Sequence, residues 1–289
     1  MKMSGTYRNL MNIICGRLED AGFENCPFEA RELTGAVLGA DCRGAEFEKL
    51  LDEGVSGENA AKLLDLCGRR IKGEPLQYLI GEWEFYGLPF KVGEGVLIPR
   101  QDTETLIDLA AAKFKDRRQL AVIDLCSGSG CIGIAVEKNL SCESVSCVEL
   151  SEQAIKYLEM NKRLNESAVE IIKGDVTAPD SEMLDSLPQA DLILCNPPYL
   201  TSEDMKKLQK EVSFEPSSAL YGGEDGLDFY RDIVRLWKGK LKQGGTVIFE
   251  IGIGQEQEVM QILIQHGFCN VRAKKDLCGV YRAVVGEKC

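Results

Sequence analysis

Asn196-Pro197-Pro198-Tyr199 is the stretch of this sequence best equipped for chemistry. It closes an apolar run, DLILCN (191–196), that reads as a buried strand, so it falls just past a strand's carboxyl end. In open parallel sheets, ligands bind beyond those ends. Asn196 offers a side-chain oxygen and Pro197 a carbonyl, two acceptors able to hold the two hydrogens of a planar amino group. Consecutive prolines remove N–H donors and stiffen the turn, which fixes the acceptors before a ligand arrives. Tyr199 can lie flat against a planar group. A nitrogen conjugated to a π system is a poor nucleophile, and acceptors aimed at its hydrogens help free its lone pair. Asn196 and Pro197 are therefore candidate catalytic residues, and with Pro198 and Tyr199 they are candidate substrate contacts. The geometry suits a glutamine side-chain amide and, as the alternative, the exocyclic amine of adenine.

Upstream, Asp124-Leu125-Cys126-Ser127-Gly128-Ser129-Gly130-Cys131-Ile132-Gly133 continues another strand-like run, AVIDL (121–125). Gly128, Gly130 and Gly133 satisfy GxGxxG, and Glu149 follows about 20 residues on, where an acid grips ribose hydroxyls. That spacing alone admits a dinucleotide. Asp124, four residues before Gly128, points elsewhere. A carboxylate beside the cradle repels a pyrophosphate, whereas S-adenosylmethionine has no phosphate and carries a cationic sulfonium and an ammonium. The glycines let backbone approach the ligand closely. The expected cofactor is S-adenosylmethionine, released as S-adenosylhomocysteine. Its expected contacts are Asp124, the loop Cys126, Ser127, Gly128, Ser129 and Gly130, then Glu149, Asp175 and Asn196. Asp175 either faces the adenine edge or serves its own turn. Methyl transfer is then an in-line displacement in which proximity supplies much of the rate, and no strong general base is needed.

Positioning these groups requires an α/β fold. Strand-like runs at 121–125, 144–150, 169–174, 191–196, 245–252, 268–275 and 280–287 make seven strands, with helical stretches after the first, second and fourth. This alternation predicts a mostly parallel, Rossmann-like sheet covered by helices on both faces. Only Asp276 to Gly279 join the last two strands, so these pair antiparallel. Residues 1–80 read as a small helical domain, with Leu10, Ile13, Ile14 and Leu18 at helical spacing. Residues 81–100 mix aromatic and β-branched residues with Gly and Pro and read as a β-hairpin linker, leaving 101–289 for the catalytic domain.

The 289 residues carry a net charge of -12, which disfavours a general grip on a phosphate backbone, so no direct nucleic-acid partner is expected. The twelve cysteines form no CxxC pair and His266 is the only histidine, so no metal site is expected and the thiols read as reduced, in a cytoplasmic setting. The first residues lack an uninterrupted apolar run of signal-peptide type, and no window approaches a membrane span.

The sequence also resembles a known family, the protein-(glutamine-N5) methyltransferases, and within it the release factor glutamine methyltransferase (PrmC/HemK) group. The residues that carry the resemblance are Phe85-Tyr86-Gly87, Val96 to Arg100 with Thr103-Glu104, Asp124 to Gly130, Asn196 to Tyr199, Glu215-Pro216 and Gly222 to Leu227. Gly244-Gly245, Glu250-Ile251-Gly252 and Asp276 to Arg282 fit too. The resemblance implies methylation of the glutamine in the Gly-Gly-Gln loop of peptide chain release factors, with the helical domain helping to recognise them. It implies that Pro99 and Arg100 line the peptide-facing side of the site, unless Arg100 pairs with Glu104 instead. A close relative in the family acts on a ribosomal protein, a second substrate the motifs admit. Gln101 and Asp102 stand where the family has proline and glutamate, and the loop reads Cys126-Ser127-Gly128 where threonine-glycine is commoner. Glu149 replaces a frequent aspartate, and Val176, also an expected cofactor contact, replaces an aromatic placed against adenine in some members.

Overall fold

The structure is a computed structural model that describes residues 5–289. Residues 1–4, the start of the expected helical domain and of the stretch weighed as a leader, lie outside the described part. The chain divides into two compact units, one running to Gly81 and taking in Gln209–Phe214, the other made of Glu82–Leu208 and Glu215–Cys289.

The first unit contains α1 (Tyr7–Asp20), α2 (Cys26–Leu38), α3 (Ala45–Leu50), α4 (Gly57–Ile71) and α5 (Leu76–Ile80). Thr6 opens α1 with a reciprocal cap, its side chain accepting from the Asn9 amide while Asn9 accepts from the Thr6 amide. Leu10, Ile14 and Leu18 fall on the buried stripe of α1 and meet Leu33, Leu63 and Cys67. Ile13, grouped with them by spacing, is exposed. Arg70 of α4 is buried, and its guanidinium forks onto Glu29 of α2 at 2.6 and 2.9 Å. It also donates to Glu211 at 2.8 Å and lies over the Phe23 ring. A buried charge is tolerated only when its donors are matched in this way.

The second unit opens with the hairpin β1 (Glu82–Phe85) and β2 (Leu88–Lys91), then α6 (Glu104–Phe114) after a 3-10 turn, Gln101–Thr103. There follow β3 (Leu120–Leu125), α7 (Cys131–Asn139), β4 (Cys142–Glu149), α8 (Glu152–Leu164), β5 (Glu170–Lys173), α9 (Ser181–Ser186) and β6 (Ala190–Cys195). The chain ends with α10 (Ser202–Met205), α11 (Asp228–Trp237), β7 (Leu241–Glu250), α12 (Glu256–Gln265), β8 (Phe268–Lys275) and β9 (Tyr281–Lys288). The short α9 after β5 was not anticipated. Asp180 caps it through the Met183 amide, a signal confined to one residue.

The seven strands lie in the order β5-β4-β3-β6-β7-β9-β8, parallel except for β9, which pairs antiparallel with both β7 and β8. Every residue of β3 and β6 is buried, as expected of central strands covered on both faces. The chain winds outward in one direction through β4 and β5 and in the other through β6 and β7, so the switch point lies between β3 and β6. On one face Trp237 of α11 is fully buried and donates its indole N–H to the Val176 carbonyl at 2.8 Å. Cys269 and Cys289 are joined as a disulfide, with their Cα atoms 5.8 Å apart, which corrects the expectation of uniformly reduced thiols. The β8–β9 pairing, with Cys269 opposite Glu287, is what brings these distant positions together.

Arg70→Ala leaves the Glu29 carboxylate buried without its partner. It should cost about 3–5 kcal/mol, read as a lowered denaturant midpoint, and an unchanged midpoint would contradict a structural role for the cluster.

Candidate active site

The register of the sheet assembles the site. Leu125 of β3 pairs with Val148 of β4 and with Cys195 of β6, and Cys195 pairs with Phe249 of β7. The next residue on each strand path is Cys126, Glu149, Asn196 and Glu250, so four functional groups stand at one level at the carboxyl end of the sheet. A cavity of about 1010 Å³ opens beyond them. Its walls include Cys126, Ser127, Gly128, Ser129, Glu149, Asp175, Val176, Asn196, Pro198 and Arg100, which gathers most of the residues singled out from sequence.

Four of those residues are placed differently. Asp124 is not part of the wall: it is fully buried under the loop, with Oδ2 accepting the Gly133 N–H at 3.0 Å and Oδ1 without a partner. Burial pushes its carboxyl up to about 7, against the Gly133 hydrogen bond that lowers it. It braces the start of α7 through the Gly133 amide. Gly130 is also behind the wall, where a Cβ would fall 1.9 Å from Leu158 Cδ1, so the position serves helix–helix packing. Pro197 is buried and is not among the residues that line the cavity. Tyr199 is not among the residues that line the cavity: its hydroxyl donates to Glu250 Oε1 at 3.4 Å, because a buried phenol O–H needs an acceptor. Burial, with the Glu250 carboxylate beside it, drives this phenol far above its ordinary value.

Glu149 spans the loop, accepting from the Gly128 amide at 2.7 Å and the Ser151 amide at 2.8 Å. Each carboxylate oxygen keeps a further lone pair for a ligand. Asp175 caps its own turn through the Thr177 amide and hydroxyl at 2.8 and 2.7 Å while also lining the cavity. Cys126 sits at φ +57°, a left-handed conformation that costs a β-carbon residue roughly 1 kcal/mol or more, at the rim of the cavity.

Arg100 pairs with the buried Glu215, not with Glu104. Glu104 instead accepts the Tyr86 amide at 2.8 Å, and Glu215 also accepts the Ile98 amide at 3.0 Å. The Val96 to Arg100 stretch is thereby tied to the cavity wall. The turn at Asn196 is clamped from the other side. A Cβ at Gly222 would lie 2.6 Å from the Pro198 carbonyl, and one at Gly226 2.3 Å from the Tyr199 carbonyl, so only glycine permits this backbone contact. Gln255 adds a hydrogen bond to the Tyr199 carbonyl at 3.0 Å. Among the described residues, no hydrogen bond occupies Asn196 Oδ1 or the Pro197 carbonyl.

Sequence reasoning assigned no role to Thr103 or Glu250. Thr103 lines the cavity, and its hydroxyl lies between Asn196 Nδ2, at 3.4 Å, and Glu250 Oε2, at 2.5 Å. The available signal was the acid ending a strand adjacent to that of Asn196.

Comparison with known proteins places this site. The family described as "Methyltransferase small domain" matches residues 102–219, and "PrmC N-terminal domain" matches residues 9–81. A solved methyltransferase from Pyrococcus furiosus shares the fold with a TM-score of 0.53 at 15% identity, covering 81% of this chain and 99% of its own. The fold and the switch-point cavity thus define a Rossmann-like methyltransferase carrying an N-terminal helical domain. A release factor glutamine methyltransferase from Geobacter sulfurreducens is 38% identical over 283 residues, covering 98% of this chain and 96% of its own. One from Thermodesulfovibrio yellowstonii is 40% identical over 238 residues, covering 81% and 84%. The chain belongs to the release factor glutamine methyltransferase family.

Because the folded-state carboxyl of Asp124 lies above its unfolded value of 3.8, its contribution to stability is present at low pH and is lost as pH rises toward about 7. Asp124→Asn lacks that loss. The variant should gain on the native protein by up to about 4 kcal/mol between about pH 4 and pH 8. Parallel stability–pH curves would show that Asp124 is not buried as a neutral acid.

Proposed function

We propose that the chain transfers a methyl group from S-adenosylmethionine to the side-chain amide nitrogen, N5, of the glutamine in the Gly-Gly-Gln loop of a peptide chain release factor. The observation that carries this reading is the pair of untaken acceptors, Asn196 Oδ1 and the Pro197 carbonyl, on a turn that packing holds rigid beside the cavity.

The cavity residues fit the cofactor. Gly128 lines the wall, and a Cβ there would meet nothing within 4 Å, which leaves room for a ligand against the backbone. Glu149 supplies acceptors for ribose hydroxyls, and Ile132, Leu150 and Val176 supply apolar surface for an adenine ring. Among the described residues, no cluster of His, Cys, Asp and Glu could hold a metal ion. When bound, S-adenosylmethionine supplies an electrophilic methyl group on its sulfonium.

The chain's own part is to bind and orient the nucleophile. Asn196 and Pro197 take the two amide hydrogens, which sets the nitrogen in the plane of the acceptors and helps withdraw its lone pair from the carbonyl. A glutamate presented in the same place has no such hydrogens, so the acceptors discriminate against it. The nitrogen sheds a proton readily once methylated, so no buried base is required. Arg100 is held by Glu215 at the cavity wall, and in this reading it meets the substrate's backbone. The helical unit, matched by the PrmC N-terminal domain family, serves substrate recognition. Such a reaction belongs in the cytoplasm, where release factors act, and no described helix is long and apolar enough to cross a membrane.

The test is methyl transfer from labelled S-adenosylmethionine to a release factor, to its loop glutamine-to-alanine variant, to ribosomal protein and to duplex DNA. Label on the native factor alone is expected. Label only on ribosomal protein or DNA would overturn the substrate. Asn196→Ala should lower turnover by about 100-fold or more while S-adenosylhomocysteine still binds. Joint loss of both would show that Asn196 holds the cofactor instead.

A further inference from the structure

A layer of side chains lies directly behind Asn196. Asn196 Nδ2 donates to Thr103 Oγ1 at 3.4 Å, and Thr103 Oγ1 donates to Glu250 Oε2 at 2.5 Å. Tyr199 donates to the other Glu250 oxygen. Thr103 and Glu250 are both 2% exposed, so water scarcely reaches the bond between them. Backbone fixes the two ends: Glu250 is level with Asn196 through the Cys195–Phe249 pairing, and Thr103 is the last residue of the turn leading into α6.

An asparagine side chain has nearly the same shape whichever way its amide faces, so packing does not choose between oxygen and NH₂. Hydrogen bonding does. Thr103 has one hydrogen to give, and an ionised Glu250 can only accept it. The Thr103 oxygen is left as an acceptor, which attracts the NH₂ of Asn196 and turns Oδ1 the other way. The opposite orientation would set Oδ1 against an oxygen with no hydrogen to spare. It would also present two N–H donors to a substrate amide that is itself a donor. Arg282 supports the charged form of Glu250 against burial, which pushes the carboxyl up to about 7. Arg282 is in turn held by Asp102 at 2.9 Å and Asp276 at 3.3 Å.

We infer that Thr103, anchored by Glu250, is a positioning residue that sets the sense of the Asn196 side-chain amide and so turns its oxygen, not its NH₂, toward the reacting nitrogen. The inference rests on the proposed glutamine methylation and adds the group that makes Asn196 an acceptor. It also accounts for a carboxylate buried behind the cavity, where Thr103 and Tyr199 each donate to one of its oxygens.

The decisive comparison is Thr103→Val, which keeps the shape and removes the hydroxyl, against Thr103→Ser, which keeps the hydroxyl and removes a methyl. Three quantities are read for each and for the native chain: kcat with a release factor, KM for that factor, and the affinity for S-adenosylhomocysteine by calorimetry. Thr103→Val should lose about 10- to 100-fold in kcat, as expected when a reacting group is misplaced. Its KM and its S-adenosylhomocysteine affinity should stay within about 3-fold of native, and Thr103→Ser should recover most of the rate. A native kcat in Thr103→Val overturns the inference, as does an equal loss in the valine and serine variants, or a parallel fall in S-adenosylhomocysteine affinity. Glu250→Leu gives a second reading that does not depend on Thr103 substitutions. It frees the Thr103 hydroxyl to donate to Asn196 and should reproduce the kcat loss with S-adenosylhomocysteine binding kept, and a native rate there also overturns the inference. Failure of the native chain to label any release factor is a separate result, visible in the native arm alone. It would remove the proposed function and the inference with it.

Discussion

The site depends on one constraint, the shared register of four parallel strands at their carboxyl ends. Leu125, Val148, Cys195 and Phe249 stand abreast in the central sheet. The residues after them, Cys126, Glu149, Asn196 and Glu250, are therefore delivered side by side without any loop having to find its partner. A slip of one residue in any of these pairings would turn that strand's whole set of side chains to the opposite face. With β3 and β6 buried along their full length, such a slip is strongly penalised. Precision at the cavity is thus inherited from hydrophobic packing several residues below it.

What the sheet delivers, the loops immobilise. Gly222 and Gly226 let one backbone press on another at Pro198 and Tyr199, while Gln255 bonds the Tyr199 carbonyl from below. The turn that presents Asn196 and Pro197 is held by main-chain contact, which leaves the acceptors free. Two carboxyl groups, Asp124 and Glu250, are sealed behind the cavity and burial raises both to about 7. Each costs stability at neutral pH. Asp124 orders the start of α7 through the Gly133 amide, and Glu250 gathers the hydroxyls of Thr103 and Tyr199. Polar groups that cost stability and order a site are the expected signature of a fold shaped by function as well as by stability.

Much of this was legible in the sequence. The strand–loop–helix alternation gave the sheet, and the short 276–279 link gave the antiparallel end, because both are local patterns. Asn196 and Glu149, which both line the cavity, stood out because position at a strand end and side-chain chemistry coincide there. What sequence could not show was direction. Asp124 and Gly130 belong to the expected loop, yet they face inward, since alternate residues of a strand and its exit turn point to opposite sides. Tyr199 has the flat ring a substrate contact wants, but its hydroxyl needed an acceptor and found Glu250, 51 positions away. Arg100 found Glu215, 115 positions on, rather than the nearby Glu104, and no spacing rule reaches so far. The Cys269–Cys289 link was hidden for the same reason, because it depends on tertiary strand pairing.

The central claim is that Asn196 and Pro197 receive the substrate's amide hydrogens. The most direct measurement is a crystal structure of the chain with S-adenosylhomocysteine and a peptide carrying the Gly-Gly-Gln loop. The expected result has the glutamine side-chain nitrogen within about 3 Å of both Asn196 Oδ1 and the Pro197 carbonyl oxygen, inside the cavity beyond β6. A glutamine side chain bound elsewhere, or turned so that its carbonyl oxygen faces those acceptors, would contradict the claim.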